Sequence, residues 1–476
     1  MSAFTLPDMS FRPLTLFAAI ASLALLPAAC GSDPLVPDIQ QPVQPPPPPP
    51  PTETPNVDGD GASGTITVSA ATTYQTMDGF GTSLRLWDDP HVNGLHGGAS
   101  TGGIVMTEAQ KDTILNLLYS PTAGIGLNRI RASLIFPGWQ PQQGVRIVAD
   151  GPYPGPQATR TIDFIKKALI RNPSLKTFFQ VLYFDSWVSN STPPFEIAAY
   201  IKASLDFARS KGHEPAWLGV HNEPSYAPPK FSAETVRDVT VGLKRLLQAD
   251  GYSTRVTAPD DVTDVLGAQK ASVILANPEA RSVVEALSIH LYGDLSPTEM
   301  AALARQYNLP LWMTEYDDRT GGSEIGWASA IVHEMIVTYN CAAVDMLYAF
   351  LGSPGFGSRQ AEYITLNSVG TTYTGYTLTP AYYQMGHWSR YVTRGSVRIA
   401  AASTNPDVKV SAFVKDGKKV IVLVHSGTTS QSVSIPAGAY RVIRTQLSGS
   451  DRLADKGLFT SAVTLPKMSI TTLVER

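Results

Sequence analysis

The sequence predicts an α/β protein: a closed (β/α)8 TIM barrel with an antiparallel β-sandwich at its side. Three observations carry that expectation. From Met77 to about Thr393, short apolar, β-branched segments alternate with helix-length segments, which implies a parallel sheet with helical crossovers. Counting Met77–Leu84 as the first strand, eight strand–helix units fit, and no glycine-rich phosphate loop opens any helix, so a barrel is favoured over an open doubly wound sheet. Beyond Thr393 the helical pattern stops, and short β-branched runs separated by Gly, Asp, Ser and Pro turns take over.

Taken in order, residues 1–30 read as a signal peptide. Leu14 to Leu26 is apolar and of secretory length, shorter than the roughly 20 residues that span a bilayer. Leu26-Pro27-Ala28-Ala29-Cys30 resembles a bacterial lipoprotein cleavage box, which leaves two outcomes open: lipidation at Cys30, or simple secretion. Either way the chain is expected to be exported, as a cell-envelope lipoprotein or a secreted protein. Residues 31–63 contain an unbroken run from Pro45 to Pro51 and are expected to be a proline-rich disordered linker. Residues 64–76 begin with an alternating strand that has no partner nearby, and are expected to join the sandwich. Residues 77–393 form the catalytic barrel in this reading, and 394–476 the C-terminal sandwich.

Barrel strands are expected at Gly126–Leu134, Leu175–Phe184, Trp217–Val220, Arg255–Ala258, Val284–His290, Leu311–Thr314 and Val344–Phe350. Helices are expected at Thr107–Tyr119, Thr161–Ile170, Phe195–Ser210, Ala233–Ala249, Val262–Ala276, Thr298–Tyr307, Glu324–Tyr339 and Ala381–Val392. In the sandwich, strands are expected at Val408–Phe413, Lys419–His425, Ser432–Ile435, Tyr440–Thr445 and Ser469–Val474.

With 43% hydrophobic and 16% charged residues the chain is globular, and a net charge of −3 gives no reason to expect nucleic acid or an anionic membrane as partner. A neutral substrate fits this balance best, membrane contact is expected only if Cys30 is lipidated, and a monomer is expected. Cys30 and Cys341 are the two cysteines, so no disulfide framework exists. No cofactor or metal site is expected: His333-Glu334 starts a zinc-protease-like pattern, but Val337 stands where the second histidine belongs.

Two stretches share a grammar that bears on chemistry. Ala216 to Val220 is a mainly apolar run ending in His221-Asn222-Glu223-Pro224, and Leu309 to Thr314 is another, ending in Glu315-Tyr316. Both place a carboxylate at the C-terminal end of a strand, where barrels carry their active sites. Pro224 biases Glu223 towards extended backbone. Two carboxylates facing each other across the mouth are what glycoside hydrolysis requires. Trp87, Trp139 and Trp187 follow strand ends and are candidates to stack on sugar faces. Trp217, mid-strand, and Trp388, within a helix, read as packing. Asp260 and Asp261 end the fifth strand and are candidates to bind hydroxyl groups.

The motifs Asp78-Gly79-Phe80-Gly81, Gly124 to Arg131, His221-Asn222-Glu223-Pro224, Ile289-His290-Leu291-Tyr292, Trp312-Met313-Thr314-Glu315 and Tyr383 to Val392 together resemble glycoside hydrolase family 30. The resemblance implies a retaining β-glycosidase with Glu223 as acid/base and Glu315 as nucleophile. It also implies that Asn222 binds the sugar's 2-hydroxyl, that Arg131 keeps the nucleophile ionised, and that His290 and Tyr292 line the same subsite. Arg129 is the competing active-site arginine. The chain departs from the family at Leu347-Tyr348-Ala349-Phe350 and Phe184-Asp185-Ser186-Trp187, so the particular sugar does not carry over. The rival readings are an inverting hydrolase and a non-catalytic carbohydrate-binding surface lipoprotein on the same fold.

Overall fold

The computed structural model describes residues 63–84, 86–87, 103–133, 157–182, 184–293, 295–316, 328–352 and 362–476. The expectations for the leader, the proline-rich linker and Trp139 lie outside them.

Strand β1 (Gly64–Thr76) belongs to the β-domain, and the chain then enters the barrel. The barrel closes from β2 (Gly79–Ser83), β3 (Arg129–Ser133), β4 (Lys176–Gln180), β5 (Trp217–Gly219), β6 (Arg255–Asp261), β7 (Val284–His290), β8 (Leu311–Glu315) and β9 (Cys341–Met346), with β9 pairing back onto β2. The intervening helices are α1 (Glu108–Tyr119), α2 (Gln157–Arg171), α3 (Pro194–Ser210), α4 (Ala233–Ala249), α5 (Asp264–Ala276), α6 (Pro278–Arg281) and α7 (Thr298–Tyr307). In α4, Val236, Val239, Leu243 and Leu247 recur at helical spacing and are all buried, while the Ser232 side chain caps the first turn by accepting from the Thr235 N–H. The helix expected at Glu324–Tyr339 is described from Ala328: a π-turn (Ala328–His333) runs into α8 (Glu334–Val337).

The expected eighth strand, Val344–Phe350, begins earlier and stops at Met346. Cys341-Ala342-Ala343 has too little bulk to read as a strand, yet small residues are what fit beside the indoles that fill this end of the barrel. There Phe178, Trp217, Trp312 and Ala343 pack together, and the Arg129 guanidinium lies 4.7 Å from the Trp217 ring and 4.3 Å from that of Trp312. Arg129 pairs with Asp345 at 2.8 Å, both fully buried. This removes Arg129 from contention as the active-site arginine.

Past the barrel, a small sheet was not legible in the sequence: β10 (Phe350–Gly352) lies parallel to β11 (Ile364–Val369), which forms a hairpin with β12 (Thr372–Leu378). Helix α9 (Pro380–Ser389) then sits at the seam, its His387 between Thr472 and Thr445 at 2.8 and 2.9 Å, and its Trp388 indole donating to Ser411. The β-domain adds β13 (Val397–Ser403), β14 (Val408–Lys415), β15 (Lys418–His425), β16 (Gln431–Ser434), β17 (Tyr440–Gln446), β18 (Ala454–Phe459), β19 (Ala462–Leu465) and β20 (Ser469–Glu475), in the order β18-β17-β20-β15-β14-β13-β1-β16-β19. Strand β1 pairs antiparallel with β13, Ile66 opposite Ser403, and parallel with β16. The middle of strand β15, Val420 to Val424, is an unbroken apolar run because both faces are covered: Ile421 and Leu423 face the domain's own core, whereas Val422 and Val424 join the barrel's.

Candidate active site

Eight parallel strands open their C-terminal ends on one mouth, and the polar side chains there come from the ends of β2 to β8. Arg131, the last inward-facing described residue of β3, is almost wholly buried and forms the hub. Its Nη1 donates to Glu315 Oε2 at 2.6 Å and to Ser83 Oγ at 3.2 Å, and its Nη2 donates to Asn222 Oδ1 at 2.5 Å and Asp260 Oδ2 at 3.0 Å. A guanidinium can only donate, so the Asn222 amide must turn its oxygen to Arg131 and keep its NH2 for a ligand.

Glu315 also accepts from the Tyr292 hydroxyl at 2.8 Å. Burial by itself would raise its pKa, but the His290 and Arg131 cations, with the Tyr292 hydrogen bond, hold it below the ordinary carboxylate range. The His290 ring places Nδ1 2.8 Å from Glu223 Oε1 and 3.9 Å from Glu315 Oε1, while Nε2 is 3.5 Å from Asp260 Oδ2. Burial opposes its charge, yet the surrounding carboxylates win and lift its pKa to about 10. Asp260 is buried with Arg131, His290 and the Thr314 hydroxyl, which outweigh burial and keep it ionised. Asp260 therefore does not meet sugar hydroxyls as expected. Nor does Asp261, whose carboxylate accepts from the Ser225 hydroxyl at 2.6 Å and lies 3.6 Å from Lys270 Nζ.

Glu223, Glu315 and His290 each offer an atom within 4.8 Å of the others, as a metal-binding trio would. His290 Nδ1, the atom of that trio, is however 2.8 Å from Glu223 Oε1 and donates to it when the ring is charged, so a metal would have to displace that proton.

Glu223 departs from the sequence expectation in its backbone. Instead of the extended conformation that Pro224 favours, its φ is +52°, in the left-handed region. Local hydrogen bonds hold it there: its N–H donates to the Asp260 carbonyl at 3.0 Å, and its own carbonyl accepts from the N–H groups of Tyr226 and Ala227, both at 2.8 Å. His221 turns away, its ring edge-on to Phe184 and Phe231.

Above Arg131 and Glu315 lies a cavity of about 220 Å³ lined by polar Ser83, Gln180 and Asn222 and by apolar Leu84, Leu182 and Leu347. That is below the roughly 300–1,000 Å³ of sites for drug-sized ligands, and suits one sugar ring. Trp87 and Trp187, two of the tryptophans expected to stack on sugar, do not line it. Trp87 is buried, its ring stacked on Phe350 (5.7 Å between centroids) and tilted on Phe164 (5.1 Å), and its carbonyl accepts from the Ile104 N–H. Trp187 is half-buried, edge-on to Tyr200 of α3. Ser83 and Gln180 were missed; the signal was available, since each is a polar residue ending a barrel strand.

The family model "Glycosyl hydrolase family 59" matches residues 91–379, more than half the chain, and "Glycosyl hydrolase family 30 beta sandwich domain" matches residues 395–473. A glucuronoxylanase from Bacillus subtilis (strain 168) is 26% identical over 295 residues, covering 58% of this chain and 65% of that enzyme, so the chain spans just under two thirds of that curated relative's length. Among solved structures, the catalytic domain of family 30 xylanase C from Talaromyces cellulolyticus superposes with a TM-score of 0.68 at 20% identity, over 87% of this chain and 100% of that one. An endo-β-1,6-glucanase gives the same TM-score and identity over 88% and 96%. With a family 59 match over the barrel, a family 30 match over the sandwich and family 30 enzymes among its relatives in sequence and fold, the chain belongs to the glycoside hydrolases, in family 30.

Proposed function

We propose that this protein is a retaining β-glycosidase that cleaves β-linked glycans or glycosides by double displacement, with Glu315 as nucleophile and Glu223 as acid/base. The observation that carries the reading is the asymmetry between two close carboxylates. Glu315 is held as an anion by Arg131, Tyr292 and His290, whereas among the described residues Glu223 has one strong side-chain partner, His290. Because Glu223 Oε1 accepts from His290, its proton as a general acid belongs on Oε2.

In the first step a Glu315 carboxylate oxygen attacks the anomeric carbon, the glycosidic C–O bond breaks, and the departing oxygen takes the proton of Glu223. In the second, water attacks the same carbon, Glu223 takes its proton and the Glu315 ester breaks. Carboxylate oxygens within 4.8 Å favour this course, since retaining pairs stand about 5–5.5 Å apart and inverting pairs about 6.5–9.5 Å to admit a water. The Asn222 NH2 is placed to donate to the 2-hydroxyl, and the small half-apolar cavity receives the ring. Relatives named for glucuronoxylan, β-1,6-glucan and glucosylceramide support a β-linked substrate. The expected signal peptide, proline-rich spacer and lipoprotein-like box at Cys30 support an activity outside the cell.

The test uses the anomeric product and azide. Glu315→Ala should be inactive on every substrate. Glu223→Ala should keep turnover on activated aryl glycosides, which leave without a proton, and azide should raise that turnover and yield a β-glycosyl azide. Azide rescue of Glu315→Ala to a β-glycosyl azide, or of Glu223→Ala to an α-glycosyl azide, would reverse the roles, and inversion of configuration by the wild type would end the retaining mechanism.

A further inference from the structure

Gln180, the last residue of β4, has no task in the chemistry above. It lines the cavity of about 220 Å³ and is 0% exposed. Among the described residues neither its amide oxygen nor its amide nitrogen has a hydrogen-bond partner. Other polar side chains of that wall are already committed. Ser83 Oγ and Asn222 Oδ1 both accept from Arg131, and Glu315 accepts from Arg131 and Tyr292. A buried amide that is unpaired at both ends is unfavourable, so a glutamine is badly placed here unless something that enters the cavity pairs with it.

The surroundings keep that amide where a ligand meets it. It lies over Gly219 of β5, where a β-carbon would stand 1.5 Å from Oε1 and 3.0 Å from Nε2. The barrel order sets β4 directly across from β8, which carries Glu315, and beside β5, which leads into Asn222. A pyranose with its anomeric carbon at Glu315 and its 2-hydroxyl at Asn222 therefore turns its far edge, carbons 3 and 4, towards β4.

We propose that Gln180 selects the sugar by reading a vicinal 3,4-diol: its amide oxygen accepts from one hydroxyl and its NH2 donates to the other. The contact rests on the glycosidase reading and deepens it. A carboxamide sets an acceptor and a donor side by side, and two adjacent hydroxyls answer both at once. Because Gln180 is wholly buried, an oxygen that meets it has no room to carry a further sugar. An internal residue of a β-1,3- or β-1,4-linked chain is substituted at one of these two oxygens, so it is excluded from the cavity. The substrates are terminal residues, or chains linked through other positions, such as β-1,6.

Two readouts separate this contact from the glycosidase reading. Hydrolysis of 4-nitrophenyl β-glucoside and β-xyloside is compared with that of their 3-deoxy and 4-deoxy forms, in the wild type and in Gln180→Met. The same glycosides are titrated calorimetrically into the full chain carrying Glu315→Ala, with and without Gln180→Met, where binding does not depend on turnover. For the better parent sugar, each missing hydroxyl should lower wild-type kcat/KM, and affinity in Glu315→Ala, by about tenfold, the worth of one neutral hydrogen bond. Gln180→Met should weaken the parent at least about tenfold and shrink each deoxy penalty below about twofold. An amide with a merely structural role would weaken parent and deoxy forms alike. Digestion of β-1,4-xylan and β-1,3-glucan by the wild type needs no variant and should release monosaccharide or nothing. The proposal is overturned if neither parent sugar binds, if the deoxy penalties are absent or persist in Gln180→Met, or if either polymer is cut internally to oligosaccharides. A wild type that hydrolyses nothing while the binding pattern holds would overturn the glycosidase reading and leave the diol contact standing.

Discussion

Replacing Arg131 by methionine separates the electrostatic reading of the mouth from a merely structural one. The substitution keeps an unbranched stem in the barrel and removes the cation that touches Glu315 at 2.6 Å and Asp260 at 3.0 Å. An opposite charge at such distances depresses a carboxylate pKa by about 1–3 units. Glu315 works as an anion, so activity is present above its pKa and lost as pH falls through it; without Arg131 that loss moves to higher pH by the same 1–3 units. The assay is the pH dependence of kcat/KM on a dinitrophenyl glycoside, whose leaving group needs no proton, so that the acid limb reports the nucleophile rather than Glu223. Stability should fall too, by about 3–5 kcal/mol in urea unfolding, since two buried carboxylates lose their arginine. Arg131→Lys restores charge without the fork and should return the limb most of the way while recovering less affinity, because a lysine cannot hold Glu315, Asn222 and Asp260 together. An Arg131→Met enzyme that folds with its acid limb unmoved would refute the proposed role of this arginine.

Three further outcomes follow from other parts of the barrel. His290, lifted to about 10, contributes stability that is complete below the unfolded histidine value near 6.5 and fades as pH rises towards 10; melting temperature should drop across that window, and His290→Asn should flatten the drop. Asp345→Asn strands the Arg129 cation between Trp217 and Trp312 and should cost about 3–5 kcal/mol in chemical denaturation, while leaving the acid limb of kcat/KM in place. Gly219→Ala puts a methyl 1.5 Å from Gln180 Oε1, so the Gln180 amide must leave its place beside β5; a loss of about 1–3 kcal/mol and a raised KM are expected.

What the sequence disclosed was whatever is written in runs. Barrel strands buried on both faces are short apolar stretches, and the two that end in Glu223 and Glu315 stood out for that reason. Strand β13 did not, because Val397–Ser403 is arginine and alanine over much of its length: Arg398 serves the seam with the barrel, and alanines carry little strand signal. Strand β18 is hidden for the same kind of reason, since Ala454–Phe459 begins with Ala, Asp, Lys and Gly, which carry little strand signal, at the edge of its sheet. Trp87 and Asp260 show the opposite error. Each sits at or just after a strand end, where function was expected, yet Phe164 and Phe350 pack over the first, and Arg131 claims the second from across the barrel. Position along the chain tells which residues reach the mouth but not which of them touch one another.

Glu223 is where a local rule and the site conflict, and the outcome accounts for the motif. In an extended chain neighbouring side chains point to opposite faces, so Asn222 and Glu223 could not both serve one cavity. Yet Asn222 reaches Arg131 and Glu223 reaches His290. The left-handed turn at Glu223 breaks the alternation at the end of β5 and brings both side chains to the mouth. Such a conformation costs on the order of 1–3 kcal/mol in a residue with a side chain, and Pro224 adds to the conflict by excluding a helical alternative for the residue before it. Three backbone hydrogen bonds, to Asp260 and from Tyr226 and Ala227, hold the corner against that cost. Glycine would take the same φ without strain but has no carboxylate to offer, so strain here is the consequence of requiring an amide and a carboxylate at consecutive positions on one side of one strand end.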